Sequence, residues 1–230
     1  MFHALGDKVE YWTTFNEPAS FCFMGYGGGY GGLSVYPPAI HDAGHAAKCT
    51  INVLKAHAAA VEEFRKIVPG GKISMNLNSD WAIPFHENDE LDKGAAQRRL
   101  DFTLGLFADP VYLGQFPDSV RARVPYLPEI TPELATALNG SCDYFALNHY
   151  TTVSNALMVS RYARYDPNGR EPLGLCEYAI SHEKDGVLLG VPAGAGWIYS
   201  VPWGFRELLK YINERYKPTE ISVTENTVFK

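Results

Sequence analysis

Crowded runs of apolar and β-branched residues alternate along the chain with stretches whose apolar positions recur every three or four residues. Val9-Glu10-Tyr11-Trp12-Thr13-Thr14-Phe15 reads as a strand that stops at Asn16-Glu17-Pro18. Asp42 reads as the cap of a long helix to about Val68, because Cys49, Val53, Ala60, Phe64 and Ile67 keep helical spacing and Pro69-Gly70-Gly71 follows. Lys72 to Asn78 is the next strand, and a helix from about Leu91 to Phe107 is expected to end before Asp109-Pro110. A short helix from Pro132 to Leu138 leads into a strand from Tyr144 to Asn148. Residues 151–196 read as one long irregular segment, with a turn signal at Asp166-Pro167-Asn168-Gly169. A helix from Gly204 to Tyr216 and a strand from Glu220 to Thr224 complete the series. Strands alternating with helices imply parallel βαβ units, and few charges inside the strands suit a sheet covered on both faces.

Composition narrows the classes. With 46% hydrophobic and 13% aromatic residues among 230, the chain has material for one large α/β domain. The net charge is −6 and no basic run occurs, so nothing points to nucleic acid. No stretch is long and apolar enough to span a membrane, and Met1 to Asp7 has no signal-peptide pattern, so the sequence selects no compartment. Cys22, Cys49, Cys142 and Cys176 are far apart with no CxxC, and are expected as free buried thiols rather than a disulfide or zinc framework. Asn139-Gly140-Ser141 is a glycosylation sequon. His41 and His45 share a helical spacing but lack a third ligand, and Gly25 to Gly32 is no phosphate loop because no Lys-Ser/Thr follows.

Each strand ends in polar groups: Asn16-Glu17, Asn76 with Asn78, Asn148-His149-Tyr150, and Glu225-Asn226. In a parallel α/β barrel such ends converge on one mouth. Two opposed carboxyls there, one protonated and one ionised, are what glycoside hydrolysis requires. A strand-end Glu also caps helices or pairs with Arg, so spacing alone leaves both readings open. Trp12, Tyr26, Tyr30, Tyr36, Trp81, Tyr150, Trp197 and Trp203 supply flat faces suited to sugar rings or to the core. Thr14 and Thr224 read as strand filler.

Thr14-Phe15-Asn16-Glu17-Pro18 resembles the acid/base signature of glycoside hydrolase family 1, and Val223-Thr224-Glu225-Asn226 its nucleophile motif. Lys55 to Ala60, Asp109 to Pro117, Leu147 to Thr152 and Trp197 to Gly204 continue the resemblance in order, from about residue 5 to 226. The Asn-His-Tyr-Thr-Thr variant is most similar to animal-type and lactase-like members. The resemblance implies a partial (β/α)8 TIM barrel holding about strands 4 to 7, with strands 1 to 3 and 8 missing from a single catalytic-domain fragment, residues 1–230. It implies a retaining β-glycosidase with Glu17 as acid/base and Glu225 as nucleophile. Asn16, Asn148, Tyr150, Trp197 and Asn78 are then substrate-binding, the substrate is a small β-glycoside or oligosaccharide, and no cofactor or metal is needed. Retention implies the two carboxyls lie roughly 5 Å apart. Truncation implies impaired turnover and self-association through exposed barrel edges. The alternatives are a silent sugar- or partner-binding fragment and a non-functional truncated product.

Overall fold

The computed structural model describes residues 1–27, 37–38, 40, 42–157 and 178–226. In chain order the helices are α1 (Phe2–Leu5), α2 (Pro18–Cys22), α3 (Ala43–Ile67), α4 (Glu90–Leu100), α5 (Leu106–Leu113), α6 (Asp118–Arg123), α7 (Pro132–Leu138) and α8 (Pro202–Tyr216). The strands are β1 (Tyr11–Asn16), β2 (Lys72–Asn78), β3 (Trp81–Pro84), β4 (Phe145–Asn148), β5 (Thr152–Leu157), β6 (Tyr178–Ser181), β7 (Glu183–Lys184), β8 (Val187–Leu188), β9 (Val191–Pro192), β10 (Tyr199–Ser200) and β11 (Ile221–Glu225).

The central sheet runs β1-β2-β4-β11, every pair parallel, as βαβ alternation requires. It does not close into a barrel among the described residues. Its inner strands, β2 and β4, are buried along nearly their whole length. The outer two are not: Tyr11 on β1 and Val223 on β11 are each 43% exposed. Register sets the strand ends level, with Asn16 opposite Asn76, Asn78 opposite Asn148, and Asn148 opposite Glu225.

Helix α3 forms where the spacing predicted it. Asp42 caps it by accepting from Gly44 N–H at 2.7 Å, and Ala46, Ala47, Ile51, Leu54, Val61 and Phe64 are buried along one side. Phe64 joins Trp12, Val61, Val68 and Ile73 in a small core, closed by Phe2 standing edge-on to Trp12 and Phe64. Trp12 is therefore core, not a sugar platform.

Three expectations need correction. The helix expected to end before Asp109-Pro110 instead passes from α4 through a π-helical turn, Asp101–Gly105, into α5, which carries Pro110 inside. Proline costs a helix roughly 3 kcal/mol. Leu106, Phe107 and Val111 are wholly buried, each contributing about 1.5–3 kcal/mol, and Asp109 is gripped by Arg215 and by Tyr216 Oη at 2.7 Å, so burial wins. Next, the segment 151–196 contains β5, which pairs parallel with β3 and antiparallel with β6. Its turn signal at residues 166–169 lies outside the described residues. Finally, Cys22 and Cys49 form a disulfide joining α2 to α3. Packing of the two helices brings their Cα atoms to 5.7 Å, within disulfide reach, although the residues are 27 positions apart in sequence. Cys142 is free, and Cys176 lies outside the described residues. Among the described residues, no helix is long and apolar enough to cross a membrane.

Candidate active site

The turn after β1 puts a glutamate where the backbone resists it. Glu17 has φ 48° and ψ 59°, a left-handed conformation that costs a non-glycine residue on the order of 1 kcal/mol. Its N–H donates to Asn76 C=O at 2.9 Å, which continues the ladder for one more residue, and Pro18 then starts α2 with its φ already helical. The bend holds the Glu17 carboxyl over the end of the sheet.

Both carboxyl oxygens of Glu17 have donors. Asn148 Nδ2 donates to Oε1 at 2.7 Å and Ser20 Oγ to Oε2 at 2.9 Å. Ser20 Oγ accepts in turn from Asn78 Nδ2 at 3.1 Å. Asn148 is fully buried; Nδ2 also donates to Asn16 Oδ1 at 3.2 Å, and Oδ1 accepts from Thr224 Oγ1 at 2.7 Å. Asn16 Oδ1 takes a further bond from Asn76 Nδ2 at 2.7 Å. Those neighbours fix the amide orientations of Asn16 and Asn148.

Glu225 closes β11. Tyr150 Oη donates to its Oε2 at 2.5 Å. Burial pushes the Tyr150 hydroxyl up to about 12, helped by that bond and by the charges of Glu225 and Glu17, so it stays a donor at working pH. Both carboxylates thus lie within electrostatic reach of one phenol. Glu225 C=O accepts from His149 N–H at 2.9 Å, and Asn226 Nδ2 donates to His149 C=O at 2.7 Å. His149 stacks on Phe205, and burial lowers its pKa. Trp197, 54% exposed, stands edge-on to Tyr150 at 5.6 Å.

A cavity of about 470 Å³ opens beside these groups, inside the range of small-ligand sites. Glu17, Asn78, Asn148, Tyr150 and Trp197 line it, with Ser20 and the Asp80–Arg99 ion pair at 2.6 Å. Asn78 Oδ1 is a buried acceptor with no partner among the described residues. Asn16 and Glu225 do not line the cavity, but each is bonded to a residue that does, Asn16 to Asn148 and Glu225 to Tyr150. All seven sequence-identified residues therefore gather at one end of the sheet.

Ser20 escaped sequence reasoning, and Asn76, read there only as a strand-end polar group, was not counted among the site residues. Thr224, taken as strand filler, points into the sheet's polar end and bonds both Asn76 and Asn148. Thr14 bonds His57 at 2.7 Å. Of the aromatic candidates, Trp81 packs against Tyr211 and Tyr26 against His45, while Tyr30 and Tyr36 lie outside the described residues, as does His41. His86, Asp89 and Asp92 bring ligand atoms together, but Asp89 caps α4 and Asp92 accepts from His86.

The family model described as glycosyl hydrolase family 1 matches residues 1–230. The chain belongs to glycosyl hydrolase family 1. A family 1 relative, the putative β-glucosidase 41 of Arabidopsis thaliana, is 35% identical over 242 residues, covering 98% of this chain and 44% of its own length. The β-glucosidase of Trichoderma harzianum superposes with a TM-score of 0.87 at 34% identity, over 99% of this chain and 47% of that one. The family 1 β-glucosidase of Humicola insolens, solved in complex with glucose, gives 0.85 at 33%, over 99% and 48%. These neighbours make the parallel sheet part of a TIM barrel. The chain spans about half the length of the relatives it matches.

Proposed function

We propose that this chain carries the acid/base, the nucleophile and their immediate supports of a retaining β-glycosidase acting on β-glucosides. One observation carries the reading. Two glutamates from the two edge strands of the sheet are tied into one polar end, Glu17 through Asn148 and Glu225 through Tyr150, beside a ligand-sized cavity.

Protonated Glu17 gives its proton to the glycosidic oxygen as that bond breaks, and ionised Glu225 attacks the anomeric carbon to form a glycosyl ester. Glu17, now ionised, takes a proton from water, whose oxygen attacks the same carbon and releases Glu225. The hydrogen bonds divide the labour. Asn148 Nδ2 is donor-only, so Glu17 Oε1 must accept and the catalytic proton rides on Oε2. There it faces Ser20, whose hydroxyl donates to the ionised form and accepts from the protonated one. Asn16 has its oxygen engaged inward, which leaves Nδ2 for the sugar 2-hydroxyl. Asn148 spends its bonds on Glu17, Asn16 and Thr224, and so acts by positioning. Tyr150 keeps Glu225 aimed, Trp197 offers a face to the leaving group, and Asn78 Oδ1 awaits a hydroxyl donor.

With Tyr11 and Val223 exposed on the two edge strands of the described sheet, we expect turnover well below that of full-length relatives and self-association through β1 and β11. The test is nitrophenyl β-glucoside hydrolysis beside Glu225→Gln, with a 2-fluoro glucoside to trap the ester. Release that depends on Glu225, and a sugar adduct on that residue, support the reading; release untouched by Glu225→Gln sinks it.

A further inference from the structure

We propose that Asn139 carries an N-linked glycan, attached before helix α3 seats on the sheet. Three observations meet there. Leu138-Asn139-Gly140-Ser141 is a type II turn: Ser141 N–H donates to Leu138 C=O at 2.9 Å, Asn139 has φ −64° and ψ 116°, and Gly140 has φ 78°. Asn139 and Gly140 are exposed, and among the described residues nothing lies within 4 Å of where a Gly140 Cβ would be. The turn precedes β4, whose far end carries Asn148, so a bulky sugar there sits at the pole opposite the cavity. Second, Cys22 and Cys49 are oxidised to a disulfide, the state of proteins matured in the secretory compartments where such transfer occurs.

Third, the folded chain hides half of the signal. Ser141, the hydroxyl residue of the sequon, is only 3% exposed, and its Oγ is bonded to His57 Nε2 at 2.9 Å. His57 belongs to α3, and Cys49 fastens that helix to α2. Once α3 is seated and fastened, a transferase can reach the Asn139 amide but not the Ser141 hydroxyl. Glycosylation and closure of the disulfide therefore compete in time.

The transfer balances with a lipid-pyrophosphate-linked oligosaccharide as donor. Asn139 Nδ2 attacks the anomeric carbon, an N–C bond forms, and the C–O bond to phosphate breaks. The lipid pyrophosphate leaves with the electron pair, and the amide proton passes to a base on the transferase.

The deciding sample is the full chain from its own cells, treated with peptide N-glycanase in heavy-oxygen water. The expected result is a downward gel shift and heavy-oxygen aspartate at position 139, a label absent from any aspartate that the Asn-Gly pair formed by spontaneous deamidation in the cell. In translation with detergent-opened microsomes, whose transferase is reachable without import, Asn139→Gln abolishes the shift and Ser141→Thr keeps it. Reductant during translation raises the glycosylated fraction, whereas chain added after folding and oxidation gains no sugar. Because attachment precedes folding, a variant that fails to fold still reports. An unshifted chain overturns the proposal, whether its Cys22–Cys49 bond is formed or absent. Equal occupancy of chain added before and after folding overturns the ordering.

Discussion

His57 makes the fold acid-sensitive in a calculable way. It is fully buried in α3, with Thr14 Oγ1 at 2.7 Å on Nδ1, Ser141 Oγ at 2.9 Å on Nε2, and Cys142 Sγ at 3.7 Å. Burial pulls its pKa from 6.5 down to about 4. Above pH 6.5 the imidazole is neutral in folded and unfolded chains alike, and this stability is fully present. Between 6.5 and 4 the unfolded chain binds a proton that the folded chain refuses, so stability falls as pH falls. At about 1.4 kcal/mol per unit, the loss reaches roughly 2 kcal/mol at pH 5 and roughly 3 kcal/mol below pH 4, a large share of an ordinary domain's stability. Denaturant unfolding of the parent and of His57→Gln at pH 7.5 and pH 5 tests this. Carboxylates titrate equally in both proteins, so the difference of differences isolates His57. The variant is expected to be less stable at pH 7.5, through lost packing and hydrogen bonds, yet to lose about 2 kcal/mol less on acidification. Parallel pH slopes for the two proteins would refute the reasoning.

Three further outcomes follow from the site and its scaffold. Ser20→Ala should slow cleavage of β-glucosides with poor leaving groups by about tenfold, within the range of acid catalysis, and leave dinitrophenyl β-glucoside within about twofold; equal losses on both substrates would make Ser20 merely structural. Tyr150→Phe removes the donor to Glu225 and should lower kcat by roughly 10²-fold with the fold intact by circular dichroism, since a donor aimed at the reacting carboxylate contributes about 2–3 kcal/mol; unchanged kcat would count against the nucleophile assignment. Asp109→Ala strands the buried Tyr216 hydroxyl and leaves the partly exposed Arg215 to water, and thermal unfolding should report a loss of about 1–3 kcal/mol.

Legibility in the sequence followed burial. Strand β2 matched its expected span because Ile73, Met75 and Leu77 alternate with polar residues just after Pro69-Gly70-Gly71, and β4 nearly did because Phe145-Ala146-Leu147 is a short apolar run. Helix α3 was legible from Asp42 and its 3.6-residue period. The partners of β5 were not, since its pairing with β3 and β6 joins segments whose own composition carries little periodicity. Pro110 misled because a local rule met a burial that outweighs it. The Cys22–Cys49 bond depends on how two helices lie together, which no spacing encodes. At the site, the motif residues share one end of the sheet, while the parts played by Ser20, Asn76 and Thr224 were not legible because single hydroxyls and amides acquire meaning only through the neighbours that the sheet register gives them.

The left-handed bend at Glu17 sets activity against robustness. Glycine adopts φ near 48° without penalty, so Glu17→Gly should relax the backbone by on the order of 1 kcal/mol, with cavity water replacing the lost carboxyl oxygens. The sturdier protein would then be the one that has lost its proton donor. A screen for thermal tolerance alone would drift toward glycine at this position, and only a screen that also demands sugar release would hold the glutamate in place.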